Sequence, residues 1–244
     1  MNARTSVVFG FFLLIAAGCG LDSDDPKHQV NISPLSFDFS DSEQDWKHGF
    51  ADFPSKDSTL FELKYAHTNR PSNLGGGKSI MLSGNNLNGD LFMFLKRKIS
   101  GLQPDTEFTL TFKVEFASDA KVGMTTANGA PGEDVTVKVG ATDTEPKTVI
   151  ENGRIVMNID KGDQKSNGED MIQIGNVASL NTDVTGYSLI NLNNSAINGL
   201  GDQPLIVRSN SKGELWLVIG TDSEYKGTTT LYYTKVEVFL SGSY

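Results

Sequence analysis

The residues able to do chemistry are few. No Gly-x-Ser-x-Gly elbow presents a nucleophilic serine, and the only cysteine is Cys19, near the start of the chain. Gly77-Lys78-Ser79 has the ending of a phosphate loop, but the loop's first glycine would fall at Ser72 and no helical pattern follows to aim amides at a phosphate. The histidines are His28, His48 and His67, without a His-x-x-x-His pair for zinc. Asp160 to Asp170 partly imitates a calcium loop through Asp163, Asn167 and Gly168, yet Lys165 occupies a ligand position, so a solvated acidic turn is the favoured reading. Thirty Asp and Glu residues make some close carboxylate pair inevitable, and nothing marks two of them as facing each other across a glycosidic bond. No catalytic residue, metal or cofactor is assigned.

Recognition of a sugar asks for less. Aromatic rings offer flat faces to C–H groups, while amides, imidazoles and guanidinium groups fix hydroxyls by hydrogen bonds. Suitable side chains occur at Trp46, Tyr65, His67, Arg70, Asn85, Asn86, Trp216, Asp222 and Tyr225. Trp46 and Trp216 read first as core residues, and Asn85-Asn86 first as turn residues. The candidate ligand-binding set is therefore Tyr65, His67, Arg70, Asn85 and Asn86. Tyr65 closes one expected strand (61–65), Asn85-Asn86 follow another (79–82), and the polar loop between holds His67 and Arg70. Antiparallel pairing would place Tyr65 near Ser79 and the asparagines at the far end, so one site forms only if the loop folds back over a sheet.

The elements that would position these residues are strands. Phe108, Leu110, Phe112, Val114 and Phe116 alternate with Thr109, Thr111, Lys113 and Glu115, the period of a strand with one buried face. Leu215 to Ile219 is apolar on both parities, as in a strand covered on both sides. Asn-Gly pairs at 88–89, 128–129, 152–153 and 167–168 supply the residues that tight reversals tolerate. No sustained helical stripe appears after the first residues. The expected fold is all-β, an antiparallel β-sandwich or jelly roll over 34–244.

The net charge of −9 argues against a nucleic-acid partner, because phosphate neutralisation needs a basic surface. The dense basic cluster Lys96-Arg97-Lys98 is expected on a solvated strand edge.

The chain opens with Arg4, an apolar run from Val7 to Ile15, and the small residues Ala16, Ala17 and Gly18. This pattern is that of an export signal over 1–18. It is too short for a membrane helix, which needs roughly 20 apolar residues. Ala16-Ala17-Gly18-Cys19 resembles a bacterial lipobox, whose cysteine takes a diacylglycerol and becomes the mature N-terminus; the pattern favours Leu where Ala16 stands. The resemblance implies a membrane partner through lipid on Cys19, and residues 19–33, with Asp22, Asp24, Asp25 and Pro26, read as a tether. Gly20 lacks the Asp of an inner-membrane retention signal, which points towards the outer membrane.

Three further segments resemble carbohydrate-binding jelly rolls of the galactose-binding type. Phe37-Asp38-Phe39 with Trp46 is similar to their first strand and tryptophan. Lys98-Ile99-Ser100-Gly101-Leu102-Gln103-Pro104-Asp105-Thr106-Glu107-Phe108 resembles their Gly-Leu-x-Pro-x-Thr-x-aromatic lead-in, a string also found in fibronectin type III domains. Leu231 to Val238 resembles the closing strand, with Thr234 where the family carries an acid that often helps hold a structural calcium. The segments Gly49-Phe50-Ala51-Asp52-Phe53-Pro54 and Asn158-Ile159-Asp160-Lys161-Gly162 resemble a little-characterised group of bacterial lipoproteins. The resemblance implies a non-catalytic glycan-binding module; an adhesive protein with a protein partner and a lipid-anchored hydrolase are the alternatives.

Overall fold

The computed structural model describes residues 29–195 and 204–243. Cys19, the export signal and the tether up to residue 28 lie outside them. The strands are β1 (Gln29–Asp38), β2 (Lys47–Ala51), β3 (Phe53–Pro54), β4 (Lys64–Asn69), β5 (Lys78–Asn85), β6 (Phe92–Ile99), β7 (Glu107–Ser118) and β8 (Val135–Thr142). They continue with β9 (Thr148–Glu151), β10 (Arg154–Met157), β11 (Met171–Asn176), β12 (Ser188–Asn193), β13 (Leu205–Arg208), β14 (Leu215–Ser223) and β15 (Thr228–Ser243). Among the described residues, helical structure is limited to 3₁₀ turns at Ser55–Phe61 and Ser72–Leu74.

Two antiparallel sheets face each other. The larger runs β12-β7-β15-β5-β4, with β1 also on β15 and β13 also on β7; the smaller runs β11-β8-β14-β6-β2. From β5 onward the chain passes repeatedly between them, the path of a jelly roll. β7 owes its central place to its alternation: Phe108, Phe112 and Phe116 are wholly buried, while Thr109 and Lys113 are exposed. They meet Val135, Val137 and Val139 of β8 and Leu215, Leu217 and Ile219 of β14 in one core. Trp46 is in that core, edge-on to Phe37 at 5.6 Å and Phe39 at 6.2 Å.

The smaller sheet also buries its outer face, as the two-sided apolar run of β14 implied. The strands β3, β10 and β9 form a small third sheet. Met157 and Ile159 pack on Ala51, Phe92, Phe94, Met171 and Val218 as a second core. Gly220 makes room for it: a Cβ there would lie 2.6 Å from the Phe92 ring.

Several expectations need correction. β1 begins at Gln29, five residues before the expected start of the domain, because it pairs with the end of β15, Gln29 opposite Ser243. The strand expected over 61–65 is Lys64–Asn69, since Phe61 ends a 3₁₀ turn and Glu62 follows at φ 47°. Lys96-Arg97-Lys98 lies on an edge only in part: β14 pairs with all three, and on the other side β2 ends opposite Lys96. Lys96 is buried against Glu145, Arg97 lies over the Phe37 ring, and Lys98 meets Glu214. Long basic stems cover apolar surface and keep their heads paired.

Candidate functional site

The residues expected to bind a ligand do not come together. Tyr65 sits on the outermost strand β4 opposite Leu82, three positions from the expected partner Ser79, which lies opposite Thr68. Its ring stacks on His48 of β2 at 3.7 Å, so the two form a bridge between the edges of the two sheets. Burial, and then Glu43 accepting from its hydroxyl, push the Tyr65 phenol up; burial pushes the His48 imidazole down. His67 Nε2 lies 2.7 Å from the Phe39 carbonyl and faces a shallow hollow formed with the acidic loop Asp41 to Asp45. Arg70 donates through Nε to the Lys78 carbonyl at 3.1 Å and stands 3.9 Å from Asp38. The 70–77 loop closes as a hairpin, with the Arg70 amide on the Gly77 carbonyl, and does not fold back over the sheet.

The asparagines lie at the opposite end of β5, about 24 Å from Lys78 for seven extended residues. Asn85 faces Thr228 there. Asn86 is 1 % exposed and wholly committed: Nδ2 donates to the carbonyls of Ser223 and Tyr225, and Oδ1 accepts from the amides of Gly89, Asp90 and Leu91. It is the keystone of a turn. The Asp160 to Asp170 loop is likewise internally satisfied: Asp160 accepts from Gly162 and Glu169, and Asp170 from the Asp160 amide. Thr234, in place of the family's acid, is buried and bonds the Glu115 carbonyl and carboxylate at 3.1 and 2.6 Å.

A groove that the sequence did not announce runs between the outermost strands β11 and β12, along the side of the sandwich remote from Tyr65. It holds about 600 Å³, within the range of small-ligand sites. Ile174, Ile190 and Leu192 back onto the main core beneath it, and Leu180 (81 % exposed), Leu189 (43 %) and Val122 (41 %) stand at its walls. Four amide residues line it: Gln173, Asn176, Asn181 and Asn191. Asn176 Oδ1 accepts from the Ala178 amide, whereas the side chains of Gln173, Asn181 and Asn191 make no hydrogen bond to the described residues. Among the described residues Glu133 is the one carboxylate on its lining, and Lys165 there is already paired with Asp134 and Glu224 at 3.0 and 2.9 Å. The signal for this site was unreadable in sequence, because it is made by two edges joined only through the fold.

The outer face of the smaller sheet carries a buried charge cluster. Lys138 of β8 and Asp222 of β14 are wholly buried, 3.4 Å apart; Lys161 reaches the same Asp222 Oδ2 at 2.6 Å and Asp52 at 3.0 Å. Arg154 and Gln164 extend it to Asp90, whose carboxyl is raised to about 6 by burial and by the neighbouring Asp52. Asp52 and Lys161 come from the two segments that carry the likeness to bacterial lipoproteins, and the fold brings them into contact.

The molecule is thus an antiparallel β-sandwich with an edge groove. No family profile matches the chain, and no curated protein matches it. Among solved structures, it is similar to TmCBM61 in complex with β-1,4-galactotriose, at 10 % identity over 83 % of this chain and 90 % of the other, TM-score 0.34. It is similar to the CBM22-1 xylan-binding domain of Paenibacillus barcinonensis Xyn10C, at 9 % identity over 84 % and 92 %, TM-score 0.36. It is also similar to an adhesin domain of Lys-gingipain from Porphyromonas gingivalis, at 11 % identity over 84 % and 97 %, TM-score 0.36.

Proposed function

We propose that this chain is a lipid-anchored envelope protein whose sandwich is a non-catalytic glycan-binding module, with the glycan in the groove between β11 and β12. The observation that carries the reading is the set of uncommitted amides, Gln173, Asn181 and Asn191, beside the exposed apolar side chains of Leu180 and Leu189. An amide offers a donor and an acceptor on adjacent atoms, which suits the vicinal hydroxyls of a sugar. Leucine methyls suit its C–H faces. Cleavage would need a second carboxylate opposite Glu133, and none lines the groove among the described residues.

The test is a glycan array probed with the Cys19→Ser chain, followed by titration calorimetry on any hit. Gln173→Ala and Asn191→Ala should each weaken binding about tenfold, the loss of roughly one hydrogen bond, and Tyr65→Ala should leave it unchanged. No retained glycan, or affinity undiminished in both groove variants, overturns the reading.

A second reading rests on a separate observation. β11 pairs only with β8, and β12 only with β7, among the described residues, so two open strand edges flank the groove. An extended segment of a partner protein could add to either edge. Retention of an envelope protein in place of a glycan would favour it.

A further inference from the structure

The buried cluster on the outer face of the smaller sheet sets a lysine nitrogen 3.4 Å from a carboxyl oxygen. Lys138 and Asp222 lie on adjacent strands, where Gly220 is opposite Lys138 and Asp222 opposite Thr136, so they are diagonal neighbours on one face. Both side chains are wholly buried. The Lys138 nitrogen donates to the carbonyls of Lys161 at 2.8 Å and Ser166 at 3.0 Å. Those two bonds use two tetrahedral directions, and a third faces Asp222 Oδ2 at 3.4 Å. In the neutral amine that direction is the lone pair. Burial holds the Lys138 ammonium below its usual range, which favours that form.

The two oxygens of Asp222 differ. Oδ2 is gripped by Lys161 at 2.6 Å, while Oδ1 is buried and has no hydrogen-bond partner among the described residues. Burial opposes the charge on Lys161, but the Asp222 and Asp52 carboxylates outweigh it and keep that group an ammonium. A fixed cation at one carboxyl oxygen polarises the carbon and stabilises an oxyanion forming there. Holding the reacting groups together also supplies the large effective concentration that intramolecular reactions enjoy.

We propose that Lys138 and Asp222 condense into an intramolecular isopeptide bond, making the cluster a self-modification site that staples β8 to β14. The Lys138 Nζ–Asp222 Cγ bond forms and the Cγ–Oδ1 bond breaks. Two of the three ammonium protons depart with Oδ1 as water; Oδ2 remains as the amide oxygen, still facing Lys161. Ammonium and carboxylate become amide and water, so the step needs no oxidant, reductant or outside proton. It also removes one cation and one anion from the interior, where unmatched or imperfectly solvated charge is costly. Lys161 and Asp52 are left as a matched pair.

Peptide mapping of the purified full chain by mass spectrometry, after denaturation and trypsin, tests this. The expected product is a branched species joining Val122–Lys147 to Gly213–Lys226, lighter than the two together by one water, with no cleavage after Lys138. Lys138→Arg keeps the charge but cannot form the amide, and trypsin cuts after an arginine at that position, so it should yield the segments 122–138, 139–147 and 213–226 as separate linear peptides. Recovery of Gly213–Lys226 from the wild-type chain only as a linear peptide overturns the proposal, whether or not the variant folds. A branch on Lys161 in place of Lys138 overturns it as well.

Discussion

Asn86 shows how a polar residue chosen for recognition can belong to the scaffold. Five hydrogen bonds converge on its one amide, holding the turn after β5 to the β14–β15 connection. Asn86→Ala would leave several buried amides and carbonyls without partners, each costing on the order of 1–3 kcal/mol. The expected outcome is a loss of stability of at least about 2 kcal/mol in denaturant unfolding, with glycan affinity of the remaining folded protein unchanged. The sequence showed that 85 and 86 begin a turn, but an amide's type does not disclose whether it faces its own backbone or solvent. Gln173, Asn181 and Asn191 carry the same side-chain chemistry and were passed over because no motif surrounds them. The buried Lys138 was hidden too, since a charged residue between apolar strand positions reads as solvated, and Asp222 stood out only as a side chain suited to a sugar.

Strands declare themselves when one parity is apolar and the other polar, and β7 does so from Phe108 to Phe116. Its large aromatic residues fix the register against β15, with Phe112 opposite Val238 and Phe116 opposite Tyr233. Phe112→Ala would open a cavity between the sheets and should cost roughly 3–5 kcal/mol, read from the shift of the unfolding midpoint at constant denaturant dependence. Unchanged stability would mean that the strand's inward face is not the one described. β2 and β13 were not foreseen, and the reason is physical. Lys47-His48-Gly49 offers no apolar alternation, and His48, opposite Leu95 of β6, stays exposed with its ring stacked on Tyr65 of the opposite sheet. β13 has four residues and exists by pairing with the first half of β7, while β12 takes the second half. Such strands are made by their neighbours, so a local pattern cannot reveal them.

At the scale of the whole molecule, the question is how the sandwich is presented. β1 is held along the end of β15, with Gln29 opposite Ser243, at the same end of the larger sheet as Glu107 and Arg208. The hairpin of Arg70 and the turn of Asn86 therefore stand at other places than the point where the N-terminal segment joins, and the groove opens along the side. Ten residue steps separate Cys19 from Gln29, a reach of at most roughly 35 Å when fully extended. Lipid on Cys19 would then hold the domain within about one domain diameter of a bilayer with its groove free to meet a glycan or an extended partner. Several acyl chains are needed for stable anchoring, so the proposal requires the fully processed cysteine. The expected result is that wild-type protein partitions into detergent and its N-terminal peptide carries lipid on Cys19 by mass spectrometry, while Cys19→Ser yields folded protein in the aqueous phase or an unprocessed precursor. A free thiol on the wild-type mature chain would remove the anchor and leave the sandwich as a secreted module.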